Sequence, residues 1–163
     1  MPNIPNQFSE VTMEFAPGVN KEVSQNMLTA LNETISKNAV AGQTIEKLWV
    51  SSAKDSHSCP SRHVSGLAVD ISRVNGKKIG EHYVSDAAIR AIVDGLQAKF
   101  EMASNRRENF GPTIKKKLGQ NHDVSGHVDH FHWSVNGDHS ACSDVAETYR
   151  LEEEDNPQTV SQR

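Results

Sequence analysis

Two short segments of this chain hold residue types that together can bind a metal ion and activate water. The first reads Ser61-Arg62-His63-Val64-Ser65-Gly66-Leu67-Ala68-Val69-Asp70. The second, about sixty residues later, reads His127-Val128-Asp129-His130-Phe131-His132-Trp133. Imidazole and carboxylate are the donors of catalytic zinc sites, in which three protein ligands leave a fourth position open. His63 and Asp70 supply one donor of each kind, and either His130 or His132 can supply the third. Two neutral imidazoles and one carboxylate around Zn²⁺ give a net charge of +1, and water in the open position becomes acidic near neutrality. A further carboxylate, Asp129, lies close enough in sequence to take a proton from that water. Serine or cysteine catalysis is the weaker reading, because no residue pattern around Ser58, Cys59 or Ser61 activates a nucleophile.

The elements that must position these groups follow from local pattern. The run 67–72 alternates and is rich in β-formers, which puts Asp70 on a strand. His63 then comes from the loop before it, and Gly66 lets that loop turn back onto the strand. Over 127–135, Val128, His130, His132 and Ser134 share one strand face, and His127, Asp129, Phe131 and Trp133 share the other. Asp129 and His132 therefore fall on opposite faces of a regular strand. A bend or bulge near Asp129 is needed to aim both at one ion.

The pattern S-x-H-x-x-G-x-A-x-D, followed by D-x-x-H and H-x-H, resembles the zinc D-Ala-D-Ala carboxypeptidases and the phage L-alanyl-D-glutamate endopeptidases. That group also takes in lysostaphin and the hedgehog signalling domain. The similarity spans roughly residues 44–136 and is specific at the two motifs. It implies zinc on His63, Asp70 and His132, with Asp129 as base and His130 or His127 as a supporting donor. An exchange of roles, with His130 activating the water, is the alternative. Many relatives carry a substrate-binding Arg in a Ser-Gly-Tyr-Arg-like stretch. Here the corresponding residues are Ser51-Ser52-Ala53-Lys54, so Lys54 is the substitute, with Ser61 and His127 as further substrate contacts. The resemblance also implies an α+β domain: a small antiparallel sheet with helices packed on one side and the zinc site on the other.

Composition sets the frame. The chain has 163 residues, 36% of them hydrophobic and 6% aromatic, enough for one domain with a modest core. Its net charge is −4, and residues 152–155 carry four negatives, so the body is close to neutral and nucleic acid is not an expected partner. No apolar run is long enough to cross a membrane. The first residues lack the charged and apolar regions of a signal peptide. A wall-degrading enzyme of this kind is expected to be made in the host cytoplasm. It would act at the cell wall after release, as a monomer, or be carried in a virion beside other virion proteins. Cys59 and Cys142 flank the motifs and are expected as free thiols, a disulfide between them being the alternative.

Taken in order, residues 1–19 read as an extended arm within a single domain over 1–150. A helix follows, capped by Asn20, with Val23, Met27, Leu28, Leu31 and Ile35 at helical spacing. A strand is expected over 44–52 and a hairpin at Asn75-Gly76. Ser85 is expected to cap a second helix whose buried stripe is Ala88, Ile89, Ile92, Val93, Leu96 and Phe100. His57 reads as a solvent-facing or supporting residue, and His82 and Tyr83 as surface. Arg106, Arg107 and Lys115–Lys117 form a basic patch, and 109–112 a short strand and turn. Residues 145–151 read as a short helix and 151–163 as an acidic, disordered tail. Three functions fit: an endopeptidase of peptidoglycan stem peptides, a D-Ala-D-Ala carboxypeptidase or dipeptidase, and a non-catalytic virion protein stabilised by zinc.

Overall fold

The computed structural model describes residues 1–55 and 57–142. The expected helix over 145–151 and the acidic tail lie outside the described residues. The architecture is mixed α+β: a nine-stranded, mostly antiparallel open sheet with a few helices.

The sheet is larger than expected because the N-terminal segment belongs to it. Residues 1–19 are not an arm. Strands β1 (Gln7–Phe8) and β2 (Val11–Phe15) form a hairpin at the sheet edge. Ile4, Phe8, Val11 and Met13 are buried in the core. The hairpin turns through Ser9 and Glu10, both at positive φ. That geometry suits a two-residue primed turn, but neither residue advertises it as Asn-Gly would. From β2 the chain crosses over helix α1 (Gln25–Thr34) and returns as β3 (Lys47–Ser52), parallel to β2. A parallel pair needs such a crossover. Ser24, not Asn20, caps α1, accepting from the N–H of Met27; Asn20 instead accepts from Glu22.

Strand β4 (Ala68–Val74) pairs antiparallel with β3 and leads through the expected Asn75-Gly76 turn, both residues at positive φ, into β5 (Lys77–Lys78). Asn75 also ties the turn to the start of β3, its Oδ1 accepting from Glu46 and Lys47. The short helix α2 (Ile79–His82) follows, then α3 (Ala87–Phe100). Its cap is Asp86, one residue beyond Ser85, and accepts from Ala88 and Ile89. Tyr83 is not at the surface: it is buried, and its hydroxyl donates to Asp94 and accepts from the Thr113 hydroxyl. Strands β6 (Arg106–Phe110), β7 (Lys115–Lys117), β8 (Gln120–Asn121) and β9 (Phe131–Val135) complete the sheet, with β9 inserted between β4 and β6.

That insertion makes β4 and β9 the middle of the sheet and divides its faces. Val69 and Ile71 stand opposite Trp133 and Phe131 and join the core formed with Met27 and Leu31 of α1 and Ile92, Leu96 and Phe100 of α3. Phe100 stacks on Trp133 at 4.6 Å, and the Trp133 indole N–H donates to Asn109. Ala68, Asp70, His132 and Ser134 alternate onto the opposite face. The helices and the candidate site thus occupy opposite sides of one sheet.

Gly95 shows how closely α3 is packed. A Cβ there would lie 2.6 Å from a methyl of Val40. Alanine ordinarily gains up to about 1 kcal/mol over glycine in a helix, but here overpacking costs about 1–3 kcal/mol. Gly95→Ala is expected to lower stability in urea unfolding. The same change in a Val40→Ala background is expected to be neutral or stabilising.

Candidate metal centre

His63 lies in a 3-10 turn, Arg62–Ser65. Ser61 caps that turn, its Oγ accepting from the His63 N–H, and is itself buried. Gly66 closes the turn at φ 68°, and a Cβ there would lie 3.1 Å from the backbone N of Ser24 and 2.8 Å from the Met1 sulfur. The His63 side chain is 1% exposed. Its Nδ1 stands 2.6 Å from the carbonyl of Ala53, to which only an N–H can donate. That bond fixes the tautomer and leaves the Nε2 lone pair facing Asp70 Oδ2 at 3.4 Å. A backbone carbonyl holding the far nitrogen is how proteins orient a ligand histidine.

Asp70 and His132 are direct cross-strand partners. His132 Nδ1 lies 2.8 Å from Asp70 Oδ1, and His132 Nε2 lies 3.1 Å from Glu108 Oε1 on β6. Glu108 is buried as well, and Oε1 accepts a second bond from the Ser134 hydroxyl. Burial pushes Asp70 and Glu108 up, but the hydrogen bonds from His132 outweigh it and hold both carboxyls below their ordinary values. Burial likewise pushes His132 down, and the bonds to Asp70 and Glu108 reverse this, raising it to about 10. Two buried carboxylates therefore face one imidazolium.

A divalent cation suits this charge better than a proton does. Donor atoms of His63, Asp70 and His132 all lie within 4.8 Å of one another. Tetrahedral ligands at about 2.1 Å stand roughly 3.4 Å apart. The donor set can hold a metal ion, with His63 Nε2, an Asp70 oxygen and His132 Nδ1 as the ligating atoms and Glu108 accepting from His132 Nε2–H. The sequence-based net charge of +1 omitted Glu108. With it, a divalent ion and the two carboxylates sum to zero.

Around the centre stands a rim of rings. His57 stacks flat on His63 at 4.1 Å and contacts the Ser52 hydroxyl at 2.6 Å. It is a supporting residue, held below its ordinary value by burial and by His63. Phe110 stacks on His132 at 5.8 Å. The chain bends at Val128 and Asp129, and the strand begins only at Phe131. His127, at φ 62°, brings its ring 6.1 Å from His132 and 5.0 Å from His130. Burial and the neighbouring imidazoles lower His127 to about 4, so it is neutral at pH 7. Asp129 is 72% exposed and its Oδ1 lies 2.7 Å from His130 Nδ1. Its backbone packs where Gly80 of α2 leaves room, since a Cβ on Gly80 would lie 2.9 Å from Asp129 Cβ. Lys54 lies on the loop after β3, its backbone N–H bound to Asn20.

Cys59 and Cys142 are not free thiols. They form a disulfide closing a span of 83 residues that contains all three candidate ligands. Glu108 is the part that sequence reasoning missed, and the disulfide is the alternative that it ranked second. No family model, curated protein or solved structure matches this chain.

The raised His132 sets a pH dependence for metal binding. Below about pH 10 both ring nitrogens of His132 carry a proton, and the metal must displace the one on Nδ1. Apparent affinity is therefore expected to rise about tenfold per pH unit between pH 6 and 9. Titration calorimetry in buffers of different ionisation enthalpy should show about one proton released per ion near pH 7. Uptake with no proton release would mean that His132 is not the ligand. Separately, Cys59→Ser with Cys142→Ser is expected to lose about 2–5 kcal/mol of stability and to bind metal more weakly, read by unfolding and by chelator competition.

Proposed function

We propose that this chain is a zinc-dependent peptidase that hydrolyses an internal bond of peptidoglycan stem peptides, of the L-Ala–D-Glu type. The observation that carries the reading is the buried His63–Asp70–His132 cluster, backed by Glu108 and open on one side to a rim of histidines. A structural site needs no accessible rim. The two motifs that supply these residues are those by which the chain resembles zinc peptidases of the cell wall, and that resemblance supplies the substrate class. A bound zinc ion would polarise the substrate carbonyl and acidify a water molecule.

The remaining work falls to side chains. His63 is fixed by Ala53 and His132 by Glu108, so neither ligand must reorganise when substrate arrives. Asp129 and His130 form one unit, because a His130 Nδ1–H donated to Asp129 leaves Nε2 as an acceptor. Asp129 takes the proton from the attacking water and returns it to the leaving amine, and His130 supports it by donating Nδ1–H to the carboxylate. Neutral His127 beside it donates to, or accepts from, the substrate peptide. The open rim favours an internal cut over release of a terminal D-Ala, which calls for a closed end.

Purified protein loaded with zinc is expected to release muropeptides from isolated sacculi, with new N-termini at D-Glu by mass spectrometry. Release of D-Ala alone would favour the carboxypeptidase reading, and zinc uptake without hydrolysis the non-catalytic one. Asp129→Asn is expected to keep its zinc and lose at least about a hundredfold in rate. His130→Ala is expected to lose less. The double variant is expected to fall short of the product of the two losses, because the residues act together. Normal turnover by Asp129→Asn would transfer the role of base to His130.

A further inference from the structure

The groove beside Phe110 is not accounted for by the metal centre or by the proton-transfer pair. It is lined by Thr113, Ile114, Lys115, Asn121, His122 and Asp123. We propose that it is a substrate subsite that takes a carboxylate two to three residues from the cleaved bond, with the Lys115 ammonium as counter-charge. The inference rests on the peptidase reading and deepens it.

Register carries the argument first. Asp70 stands opposite His132, His132 opposite Phe110, and Phe110 opposite Lys115. Paired residues on adjacent strands share a face, so these four form one row across the site side of the sheet. Strands lie about 4.8 Å apart, which puts Lys115 roughly 10 Å from the ligand His132. An extended peptide advances about 3.3 Å per residue, so this span covers two to three residues.

The surface between the two points is continuous and suited to a peptide. Phe110 lies between two nearly parallel rings, His132 at 5.8 Å and His122 at 5.5 Å, each 17° from its plane. His122 is thus both the end of this ring stack and a wall of the groove. Its Nε2 is buried with no hydrogen-bond partner among the described residues. An unpaired buried polar atom costs stability and calls for an explanation. Here the ring is held by stacking, as a wall for whatever lies in the groove.

Charge carries it the rest of the way. The Lys115 ammonium donates to the carbonyl of Gly126 at 3.1 Å, a neutral partner that positions it without cancelling its charge. Gly126 directly precedes His127, so one loop holds both the amine and the rim. Lys116 also borders the groove, but it pairs with Asn109 and so alternates to the other face, which leaves Lys115 as the cation on this one. Lys54 belongs to the other end of the row, on the loop beyond Ser52, which pairs with Asp70.

The test uses zinc-loaded full-length protein and two synthetic stem tetrapeptides. One bears a free side-chain carboxylate on its third residue, and the other has the carboxamide there. Wild type is expected to favour the acid by about tenfold or more in kcat/KM, expressed in KM. Lys115→Met is expected to bring the acid down to the level of the amide with zinc content unchanged. Lys78→Met, on the distant β5 hairpin, should keep the preference. A preference that survives Lys115→Met, or none in wild type, overturns the subsite. If neither tetrapeptide nor sacculi are cut, the peptidase reading falls. Calorimetric binding of the same two peptides to wild type and Lys115→Met then decides the subsite alone, and equal affinities overturn it.

Discussion

Asp70, His132 and Glu108 meet across three adjacent strands, and each is buried with its charge. Taking ions out of water costs several kcal/mol apiece, and removing one partner of such a group leaves an uncompensated charge worth about 3–5 kcal/mol. The group holds together only in one register. A one-residue slip of β9 would turn Trp133 onto the site face and drive His132 beneath the helices. The core sets the same register from its own side, since Trp133 must stack on Phe100 and bond Asn109. Packing on one face and charge pairing on the other thus fix the same alignment.

The third candidate ligand has no such support from the sheet. His63 sits in a turn, and a turn alone would pay conformational entropy to hold its ring in place. Several fasteners clamp this segment to the chain just beyond β9. The Cys59–Cys142 disulfide joins the two covalently. His139 bridges them, with Nε2 2.8 Å from the Pro60 carbonyl and Nδ1 2.6 Å from the Ser65 hydroxyl. Arg62 donates to the carbonyl of Val135. Precision that strands supply to Asp70 and His132 is supplied to His63 by cross-links.

What was legible in the sequence follows from range. Alternation over 67–72 placed Asp70 on a strand, the Asn75-Gly76 pair marked its hairpin, and the apolar stripe from Ile89 to Phe100 marked α3, because each signal is local. Spacing pointed to His63 and Asp70 with either His130 or His132, and it was the resemblance of the two motifs that singled out His132. Glu108 was not legible: in Arg106-Arg107-Glu108-Asn109-Phe110 it reads as one more charged strand residue. Its role exists only because β9 inserts beside β6, 24 residues away in sequence. The β1–β2 hairpin was hidden by its turn residues, since Ser9 and Glu10 adopt positive φ without the usual residues for it. Two cysteines alone gave no means of choosing between thiols and a disulfide. The separation of the caps at Ser24 and Asp86 from the expected Asn20 and Ser85 is a matter of which nearby polar side chain reaches the free N–H groups.

The division between buried ligands and exposed rim has its own physical logic. Groups that hold a metal gain from burial, which strengthens their attraction and excludes competing water. Groups that move protons need water and room to exchange partners, and Asp129, proposed for that role, has both at 72% exposure. The rim also stands beside the His132 ring, which carries a charge of its own. Burial and the neighbouring imidazoles both disfavour a second charge there, and His127 accordingly remains neutral down to about pH 4. Asp129 stands outside this constraint, its Oδ1 lying 2.7 Å from His130 Nδ1.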